Sequence, residues 1–427
     1  MKLLTVEVES PLPDVPPPSV GEQWVLVRFH REPLGLLKFT EGCSASRLAG
    51  LIADQFSPGI LEHIAADSMT DGGQSSLAAI PAACPRRSDH ALPSLTAAVC
   101  TRNGAARIGE CLDALATLDY PAGKLDLLIV DNAPADERTR HVVERYSSIR
   151  YVVEPRPGLD WARNRAIAEG RGEVIAFTDD DVSVDAGWAA AAGRLFASDP
   201  AIEAVTGLVV PDEMDVESQQ LFERYGGFGR GFNREYFRVD TASGEKAARR
   251  HAGAGRFGTG ANMAFRRSIF ERIGTFDPAL DVGTATHGGG DLEMFFRVLK
   301  EGGTLVYEPS AIVRHRHRRT YPELRTQLAN NGIGFYSYLV RTSEAYPDER
   351  AGVIRLGAWW LWYWNLRRLA ISLAKPDEFP RDLILAELRG SFEGLRRYSR
   401  AKAQAAQVDA AFRTDDASLG ASRRAIL

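Results

Sequence analysis

The sequence predicts an α/β protein whose central domain is a mostly parallel sheet flanked by helices. Short apolar strands alternate with helical segments of about 10 residues through the middle of the chain, as in βαβ units. The strands are apolar at almost every position, which is expected when helices cover both faces of a parallel sheet. Three strands end in polar residues. Because ligands bind beyond the carboxyl ends of such strands, these residues should form the functional site.

The central domain is predicted to span residues 94–338. Apolar residues at helical spacing, as at Ile108, Leu112 and Leu115, separate its first strand from its second. Four strands follow one another along the chain, with the sequences LTAAVC, LDLLIVD, IRYVVE and VIAFTDDD. Helices between them should connect parallel neighbours in one sheet.

A small α+β module is predicted for residues 1–70. Two short strands surround a turn near Glu32 and Pro33, and a helical pattern follows from Ala45 to Phe56. The module shows no chemical motif, so the sequence assigns it no role.

A linker and a helical region complete the predicted organisation. Residues 71–93 are rich in Gly, Ser, Pro and Ala, which is typical of a linker. Residues 339–427 are predicted to be mainly helical. The N-terminus lacks the apolar run of a signal peptide, and no uncharged apolar stretch reaches the roughly 18 residues of a membrane span.

A tryptophan-rich segment stands out in the C-terminal region. Its uncharged run from Leu356 to Leu366 is bounded by Arg355 and Arg367 and is too short to cross a bilayer. One interpretation is a helix buried against the central domain, which the apolar residues on all its faces favour. The alternative is peripheral membrane contact through residues 356–373, because tryptophan with flanking arginine suits a membrane interface.

Composition and charge exclude several classes of function. The 427-residue chain has 52 basic and 56 acidic residues and a formal net charge of −4, which does not indicate a nucleic-acid-binding protein. Its four cysteines form no C-x-x-C pair, which argues against a zinc ribbon or a disulfide scaffold. We therefore expect a cytoplasmic protein, with peripheral attachment to the inner face of the membrane as an alternative.

The polar strand ends indicate a cation site. Three consecutive aspartates repel one another unless a cation or hydrogen-bond donors compensate their charge. A divalent cation held by one or two carboxylates and by substrate phosphates would do so. The alternative is a solvated turn that caps the next helix. The strand-end residues are Thr101, Asn103, Asp131, Asp179, Asp180 and Asp181.

Several motifs together resemble the family 2 glycosyltransferases of GT-A fold. They occur in the order VCTRN, IVDN, PGLDWARNRAIAEGRGEVIAFTDDDV, GTGANMAFRR, GGGDLEMFFRVL and EPSAIVRHRH. Each motif is weakly specific, and the signal is their common order and spacing. The resemblance implies inverting, metal-dependent transfer of a sugar from a nucleoside diphosphate donor, with a UDP-sugar favoured, to an acceptor hydroxyl. Polysaccharide, glycolipid or cell-envelope glycan synthesis would be the setting, with a glycan or a lipid-linked acceptor.

The resemblance also implies donor-side roles. Asp131 would contact the nucleotide base, since a carboxylate can accept the imide N–H of uracil or thymine; the alternative is an ordinary turn. Within the DxD motif, Asp179 would face the ribose and Asp181 would bind Mn²⁺ or Mg²⁺. The remaining donor-side residues are Thr101, Asn103, Asp180 and the Arg163-Asn164 pair, with a surface helix arginine as the alternative for Arg163.

Histidine is implied as a further metal ligand. We prefer His315, and for His317 we favour a solvated basic loop. Imidazole together with carboxylates suits Mn²⁺, whereas Mg²⁺ prefers oxygen ligands.

Asp291 would be the catalytic base by the same resemblance. It should begin a helix after a glycine-rich loop, so an N-cap without catalytic function is the alternative. Family members often have a Glu-Asp pair here, whereas this chain has Gly290 in place of the glutamate. The acceptor side would include Gly260, Asn262 and Glu293.

Two other functions remain open at this stage. A catalytically inactive nucleotide-sugar-binding or scaffold protein could share the fold, because fold does not imply activity. A sugar nucleotidyltransferase would share the sheet and the metal-binding acids. The chain lacks that enzyme's glycine-rich phosphate loop with a lysine after the first strand, which lowers this alternative.

Overall fold

The computed structural model describes residues 2–70, 84, 92–250, 254–374 and 379–424. The predicted linker, residues 71–93, therefore lies mostly outside the described residues. The order of elements is an N-terminal three-stranded sheet with one helix, a nine-stranded sheet with flanking helices, and a set of C-terminal helices. The predicted α/β class, with a helix-flanked central sheet, a small N-terminal module and a helical C-terminal region, is confirmed.

The N-terminal module consists of β1 (Leu4–Glu7), β2 (Gln23–Phe29), β3 (Glu32–Phe39) and α1 (Ala45–Thr70). β1 and β2 are parallel, and β2 and β3 form an antiparallel hairpin. The hairpin turns at His30 and Arg31 rather than near Pro33, and α1 continues well beyond Phe56. The predicted helix stopped at Phe56, close to Pro58. In the structure Pro58 lies inside α1 and does not end the helix.

The large sheet is mixed rather than mostly parallel. β4, β5, β6 and β7 are the four predicted strands, and they pair in parallel. β11 then runs antiparallel to both β7 and β9, while β12 is parallel to β9 and antiparallel to β8 and β10. The strands are β4 (Leu95–Thr101), β5 (Leu125–Asn132), β6 (Ile149–Glu154), β7 (Val174–Asp179), β8 (Val182–Val184), β9 (Ile202–Pro211), β10 (Glu235–Phe237), β11 (Asn262–Arg266) and β12 (Thr304–His315).

Helices cover both faces of this sheet. One face packs on α4 and α9, and the other packs on α2 and α5, each burying an apolar cluster. The central helices are α2 (Gly109–Ala116), α3 (Arg138–Val143), α4 (Leu159–Glu169), α5 (Trp188–Ser198), α6 (Glu217–Tyr225), α7 (Ala247–Arg250), α8 (Ile269–Ile273) and α9 (Gly290–Lys300). The apolar runs of β4, β5 and β7 are thus buried from both sides, as their sequences predict.

The C-terminal region is helical, as predicted. Its helices are α10 (Tyr321–Ala345), α11 (Arg350–Trp360), a π-helical turn (Leu361–Leu366), α12 (Arg367–Ala374) and α13 (Arg381–Arg424). The proposed boundary at residue 338 falls inside α10. α10 and α13 cross closely, since a Cβ at Gly390 would lie 2.1 Å from the backbone oxygen of Ala329. No helix in the described ranges combines the length and hydropathy that a bilayer crossing requires.

Candidate active site

A cleft of about 910 Å³ opens beside the C-terminal end of β7. The glycine-rich loop before β11, the start of α9, the end of β12 and the C-terminal helices form its other walls. Polar and charged side chains of the lining include Asp160, Arg163, Asp179, Asp291, His315, Asn330, Asn331 and Glu387. Asp179 at the end of β7, Asp291 at the start of α9 and His315 at the end of β12 therefore meet around one cleft.

Asp179, Asp181 and His315 converge at the edge of this cleft. One ligand atom from each lies within 4.8 Å of the others, and His315 Nε2 is 3.6 Å from Asp181 Oδ1. Sheet pairing explains the convergence: β8 follows the aspartates directly and pairs with the end of β12, which sets His315 opposite Val182. Residues far apart in sequence thereby form a three-residue group that fits a divalent cation.

The protonation states of this group suit metal binding. Burial lowers the pKa of His315 to about 4, so its imidazole is neutral at physiological pH and offers a lone pair. Burial and then repulsion from Asp181 raise the pKa of Asp179 to about 7. A cation beside Asp179 would favour its charged form, because an opposite charge stabilises a carboxylate.

Asp180 requires a correction, because it does not face the cleft. Its Oδ2 accepts a hydrogen bond from Thr101 Oγ1 at 2.5 Å, and its Oδ1 accepts one from Arg107 Nε at 2.8 Å. Thr101 is itself buried, so neither side chain is placed to bind a donor. Adjacent residues of a turn point in different directions, and here Asp180 ties β7 to the loop that follows β4.

Asp291 lies at the start of α9, as predicted, and lines the cleft. Its Oδ2 accepts a hydrogen bond from the backbone N–H of Gly260 at 2.8 Å, and its Oδ1 accepts one from Leu292 N–H at 2.9 Å. The helix N-cap position itself is taken by Gly289, whose φ of 108° is left-handed. The capping alternative therefore does not account for Asp291, and Gly260 holds its carboxylate in place.

Arg163 is buried and lines the cleft, so the surface alternative for this residue is wrong. Its Nη1 donates to Asp160 Oδ1 at 3.0 Å. Burial lowers the pKa of the guanidinium, but Asp160, Asp179 and Asp291 outweigh this effect and raise the pKa above its usual value. The positive charge thus lies among the carboxylates of the cleft and keeps them close together.

Asp160 is a site residue that the sequence analysis missed. It is buried, its pKa is raised well above the usual range by burial, and its Oδ2 has no hydrogen-bond partner among the described residues. A Cβ at Gly290 would lie 2.1 Å from this oxygen. The carboxylate of Asp160 therefore fills the space beside Asp291 where family members often have a glutamate. The spacing of Asp160 and Arg163, one helical turn apart, was the available signal.

Three further assignments need correction because their side chains serve the fold. Glu293 is fully buried and pairs with Arg297 and with Arg341 Nη1 at 2.9 Å, so it does not reach the cleft. Asn262 is buried and donates to two backbone oxygens, at 2.7 and 3.1 Å. Asn164 exchanges two hydrogen bonds with the backbone of Phe276.

Asp131 and Asn103, both predicted on the donor side, lie at the same carboxyl-terminal edge of the sheet as Asp179 but outside the lining of the cleft. Asp131 is fully buried, and Tyr151 Oη donates to its Oδ2 at 2.8 Å. Its Oδ1 has no hydrogen-bond partner within the described part of the chain, and burial raises its pKa. Asn103 is exposed with a φ of 52°, and its Oδ1 accepts from Ala135 N–H at 3.0 Å. The role of Asp131 at the nucleotide base stays a prediction.

The two histidines at and just after the end of β12 are buried rather than solvated. His317 is buried, its Nε2 lies 2.7 Å from Glu223 Oε1, and its Nδ1 lies 3.1 Å from His315 Nδ1. The expectation of a solvated His317 is wrong, because this contact orients the candidate metal ligand. Arg318 Nη1 lies 3.7 Å from Asp181 Oδ2, which brings one cation to the metal group.

The C-terminal helices contribute an aromatic wall to the cleft. Trp360 and Trp364 line the cleft and stack with ring centroids 5.1 Å apart. Glu387 of α13 lies in the same wall, and burial raises its pKa to about 8. Its carboxyl group accepts a hydrogen bond from the hydroxyl of Tyr225. The sequence showed the tryptophans but gave no sign of which element they face.

The sequence model of the family described as Glycosyl transferase family 2 matches residues 96–274. Polypeptide N-acetylgalactosaminyltransferase 13 of Rattus norvegicus is 30% identical over 212 residues, which cover 46% of this chain and 36% of the relative. Polypeptide N-acetylgalactosaminyltransferase 5 of Caenorhabditis elegans is 28% identical over 208 residues, covering 46% of this chain and 32% of the relative. The chain thus spans about a third of the length of the curated relatives it matches.

Solved glycosyltransferase structures resemble the chain at low identity. The mannosyltransferase PcManGT from Pyrobaculum calidifontis, in complex with GDP-Man and Mn²⁺, gives a TM-score of 0.47 at 17% identity and covers 81% of this chain and 97% of its own. GalNAc-T7 with UDP, GalNAc and Mn²⁺ gives a TM-score of 0.41 at 15% identity, and the match covers 66% of this chain and 59% of GalNAc-T7. The sequence match includes the aspartate motif and Gly260, whereas Asp291 and His315 lie beyond it. Residues 96–274 of this chain are thus similar in sequence to glycosyl transferase family 2.

Proposed function

We propose that the protein is a metal-dependent glycosyltransferase that moves a sugar from a nucleoside diphosphate sugar to an acceptor hydroxyl. The observation that carries this proposal is that Asp179 and His315 line one cleft with Asp291, while Asp181 lies within ligand distance of the first two. A scaffold protein would have no need to hold a metal-ligand group and a further carboxylate together. The similarity of residues 96–274 to glycosyl transferase family 2 supports the same reaction.

The residues present fit a divalent cation, since two carboxylates and a neutral imidazole offer one ligand atom each within 4.8 Å. Asp179, Asp181 and His315 would hold it, and Mn²⁺ suits this mixed ligand set better than Mg²⁺ does. Such an ion supplies neutralisation of the charge that develops on a diphosphate leaving group.

Asp291 is the proposed general base. Its carboxylate would take the proton of the acceptor hydroxyl while the hydroxyl oxygen bonds to the anomeric carbon and the bond to the diphosphate oxygen breaks. One displacement of this kind inverts the anomeric centre. Gly260 N–H fixes one carboxylate oxygen, and Arg163 holds Asp160 beside it. Arg318 is placed to contribute positive charge on the leaving-group side.

The donor and the acceptor are proposed in class only. A UDP-sugar is favoured, because the curated relatives are named as N-acetylgalactosaminyltransferases and GalNAc-T7 was solved with UDP. For the acceptor we favour a glycan or a lipid-linked glycan, as in polysaccharide or cell-envelope synthesis. The aromatic wall of Trp360 and Trp364 supports a glycan, because the face of a sugar ring packs on aromatic side chains.

A nucleotide panel tests the donor class. The melting temperature of the protein is measured with UDP, GDP, dTDP and CDP, each with and without Mn²⁺. One nucleotide should stabilise the protein only with the metal, since a ligand at about 100 times its dissociation constant adds about 2.7 kcal/mol to the free energy of unfolding. Uridine with Mn²⁺ is the control without phosphates. If no nucleotide gives a metal-dependent shift, the proposed donor site is contradicted.

We further propose that the tryptophan-rich segment contacts an anionic lipid surface. The expectation of a buried helix holds only for one side: Trp362 is 67% exposed, Trp359 50% and Leu373 64%. These side chains follow one another at helical spacing, and Arg367 packs on the ring of Tyr363 beside them. Aromatic side chains with arginine are suited to the headgroup region. Because Trp359 also lines the cleft, lipid contact here would bring a lipid-linked acceptor to the site.

Vesicle co-sedimentation tests this surface. The wild-type chain should bind vesicles with anionic lipid, and Trp362→Ser should weaken binding by about tenfold, which corresponds to about 1.4 kcal/mol of lost apolar burial. Phe392→Ser is the matched control, because Phe392 is an exposed aromatic residue of α13 at 54% exposure. Equal loss in both variants, or no wild-type binding, would contradict membrane contact through residues 356–373.

A further inference from the structure

The N-terminal module contains a second cluster of metal-ligand side chains, separate from the cleft. His30 lies at the turn between β2 and β3, His63 and Asp67 lie one turn apart on α1, and Cys84 lies in the stretch before β4. One ligand atom from each lies within 4.8 Å of all the others. The sequence analysis missed the cluster because its members are 33, 4 and 17 residues apart and match no spacing motif.

The distances within the cluster match a tetrahedral zinc site. His30 Nδ1 lies 3.1 Å from His63 Nε2 and 3.3 Å from Asp67 Oδ2, and His63 Nε2 lies 3.2 Å from Asp67 Oδ2. Cys84 Sγ lies 3.4 Å from Asp67 Oδ1. Zinc bonds of about 2.0–2.3 Å at tetrahedral angles set neighbouring ligand atoms about 3.3–3.7 Å apart. The two histidines and Asp67 are therefore already at nearly the separations that one ion requires, and Cys84 Sγ lies within 4.8 Å of their ligand atoms.

The contacts of His63 specify its role in such a site. Its Nδ1 lies 3.1 Å from Glu32 Oε2, so Nδ1–H can donate to the carboxylate while Nε2 points to the cluster with its lone pair. A carboxylate that holds the distal N–H of a ligating histidine is the usual outer partner in zinc sites. Glu32 is thus a positioning residue for His63.

Burial and charge favour a divalent cation among these residues. All four are buried, with exposures of 0% for Asp67 and 7% or less for the other three. A carboxylate, a thiolate and two neutral imidazoles carry two negative charges, which a divalent ion neutralises. A neutral site is far less costly to bury than an uncompensated charge. Sulfur and nitrogen ligands in a group of four select zinc over Mg²⁺ or Ca²⁺.

The backbone at the hairpin turn fixes the position of His30. His30 has a φ of 49° and Arg31 a φ of 63°, so both occupy the left-handed region at a turn where glycine or asparagine is usual. Left-handed backbone in such residues costs free energy and persists where the surroundings fix it. The side chain of His30, packed against Phe29 and held by Asp67, supplies that constraint.

We propose that His30 Nδ1, His63 Nε2, an oxygen of Asp67 and Cys84 Sγ bind one zinc ion. Binding releases the thiol proton of Cys84 to solvent, since thiolate is the ligand. Four protein ligands close the coordination sphere, so the site is structural. It joins the β2–β3 turn and α1 to the stretch that leads into β4 of the catalytic domain. This site is independent of the cation proposed for the cleft.

Metal analysis of the full chain, purified after growth with zinc, tests the proposal. About one zinc per chain is expected, and Cys84→Ala and His63→Ala should each remove most of it. Cys43→Ala is the matched control, because Cys43 is also a buried free thiol of the N-terminal module outside the cluster. Asp181→Ala should keep its zinc. Glu32→Gln should weaken zinc affinity by about 10- to 100-fold in a chelator competition, as loss of an outer partner does.

Cobalt substitution keeps the test decisive if the variants fold poorly. The wild-type chain loaded with Co²⁺ should show the intense visible absorption of four-coordinate cobalt and a thiolate-to-cobalt charge-transfer band. Chelation should lower its melting temperature. A chain that purifies without zinc, gives no thiolate band with Co²⁺ and melts at the same temperature with chelator would overturn the proposal. The cluster would then be a hydrogen-bonded ion-pair network.

Discussion

Asp291→Asn should lower the turnover number for sugar transfer by about 10² to 10⁴, the usual contribution of a general base. Asparagine has the same shape and can still accept the hydrogen bond from Gly260 N–H, so the local structure should persist. It cannot take the proton of the acceptor hydroxyl. The metal-dependent binding of the nucleotide should stay within about twofold of wild type, because Asp291 is not part of the Asp179–Asp181–His315 group.

The measurement pairs single-turnover transfer with the nucleotide-induced shift in melting temperature. Asp199→Asn serves as the control, because Asp199 is exposed and precedes β9 at the opposite edge of the sheet. Loss of turnover with normal nucleotide binding assigns Asp291 to proton transfer. Turnover close to wild type in Asp291→Asn would contradict that role and direct attention to Asp160, which lies beside it.

The sheet and its binding edge could be predicted because each depends on local pattern. Apolar runs defined β4 to β7, and the polar residues after them marked the edge where the cleft opens. The antiparallel half was not predicted. β9 and β12 are apolar runs like the others, and their pairing with β11 depends on long connections that periodicity does not describe.

Side-chain direction was the second limit of sequence reasoning. All three neighbouring aspartates were predicted on the donor or metal side, yet Asp180 turns toward Arg107 while its neighbours form the metal group. Glu293 was predicted on the acceptor side, but Arg297 and Arg341 enclose it. Such contacts come from other elements, so no short segment of sequence contains them. The same holds for the N-terminal metal-ligand cluster.

The difference between Asp181 and Asp180 gives the sharpest test of the metal group. Asp181→Ala should abolish the Mn²⁺-dependent stabilisation by nucleotide and reduce transfer to background, because one of three ligands is lost. The folding stability of the metal-free protein should change little. Asp180→Ala should do the reverse: the metal-dependent shift persists, while the free energy of unfolding falls by about 1–3 kcal/mol, since Arg107 and the buried Thr101 lose their hydrogen-bond partner.

Both variants remove one carboxylate from the same tripeptide, so general effects of charge are matched between them. Thermal unfolding with and without Mn²⁺ and nucleotide separates the two losses in one experiment. If the proposed metal group is right, Asp181→Ala loses the metal-dependent stabilisation by nucleotide. Asp180→Ala loses folding stability instead, because its side chain points away from the metal group. If Asp180→Ala instead removes the metal response while Asp181→Ala retains it, the metal is held by other residues. The convergence of Asp181 with His315 would then serve the fold alone.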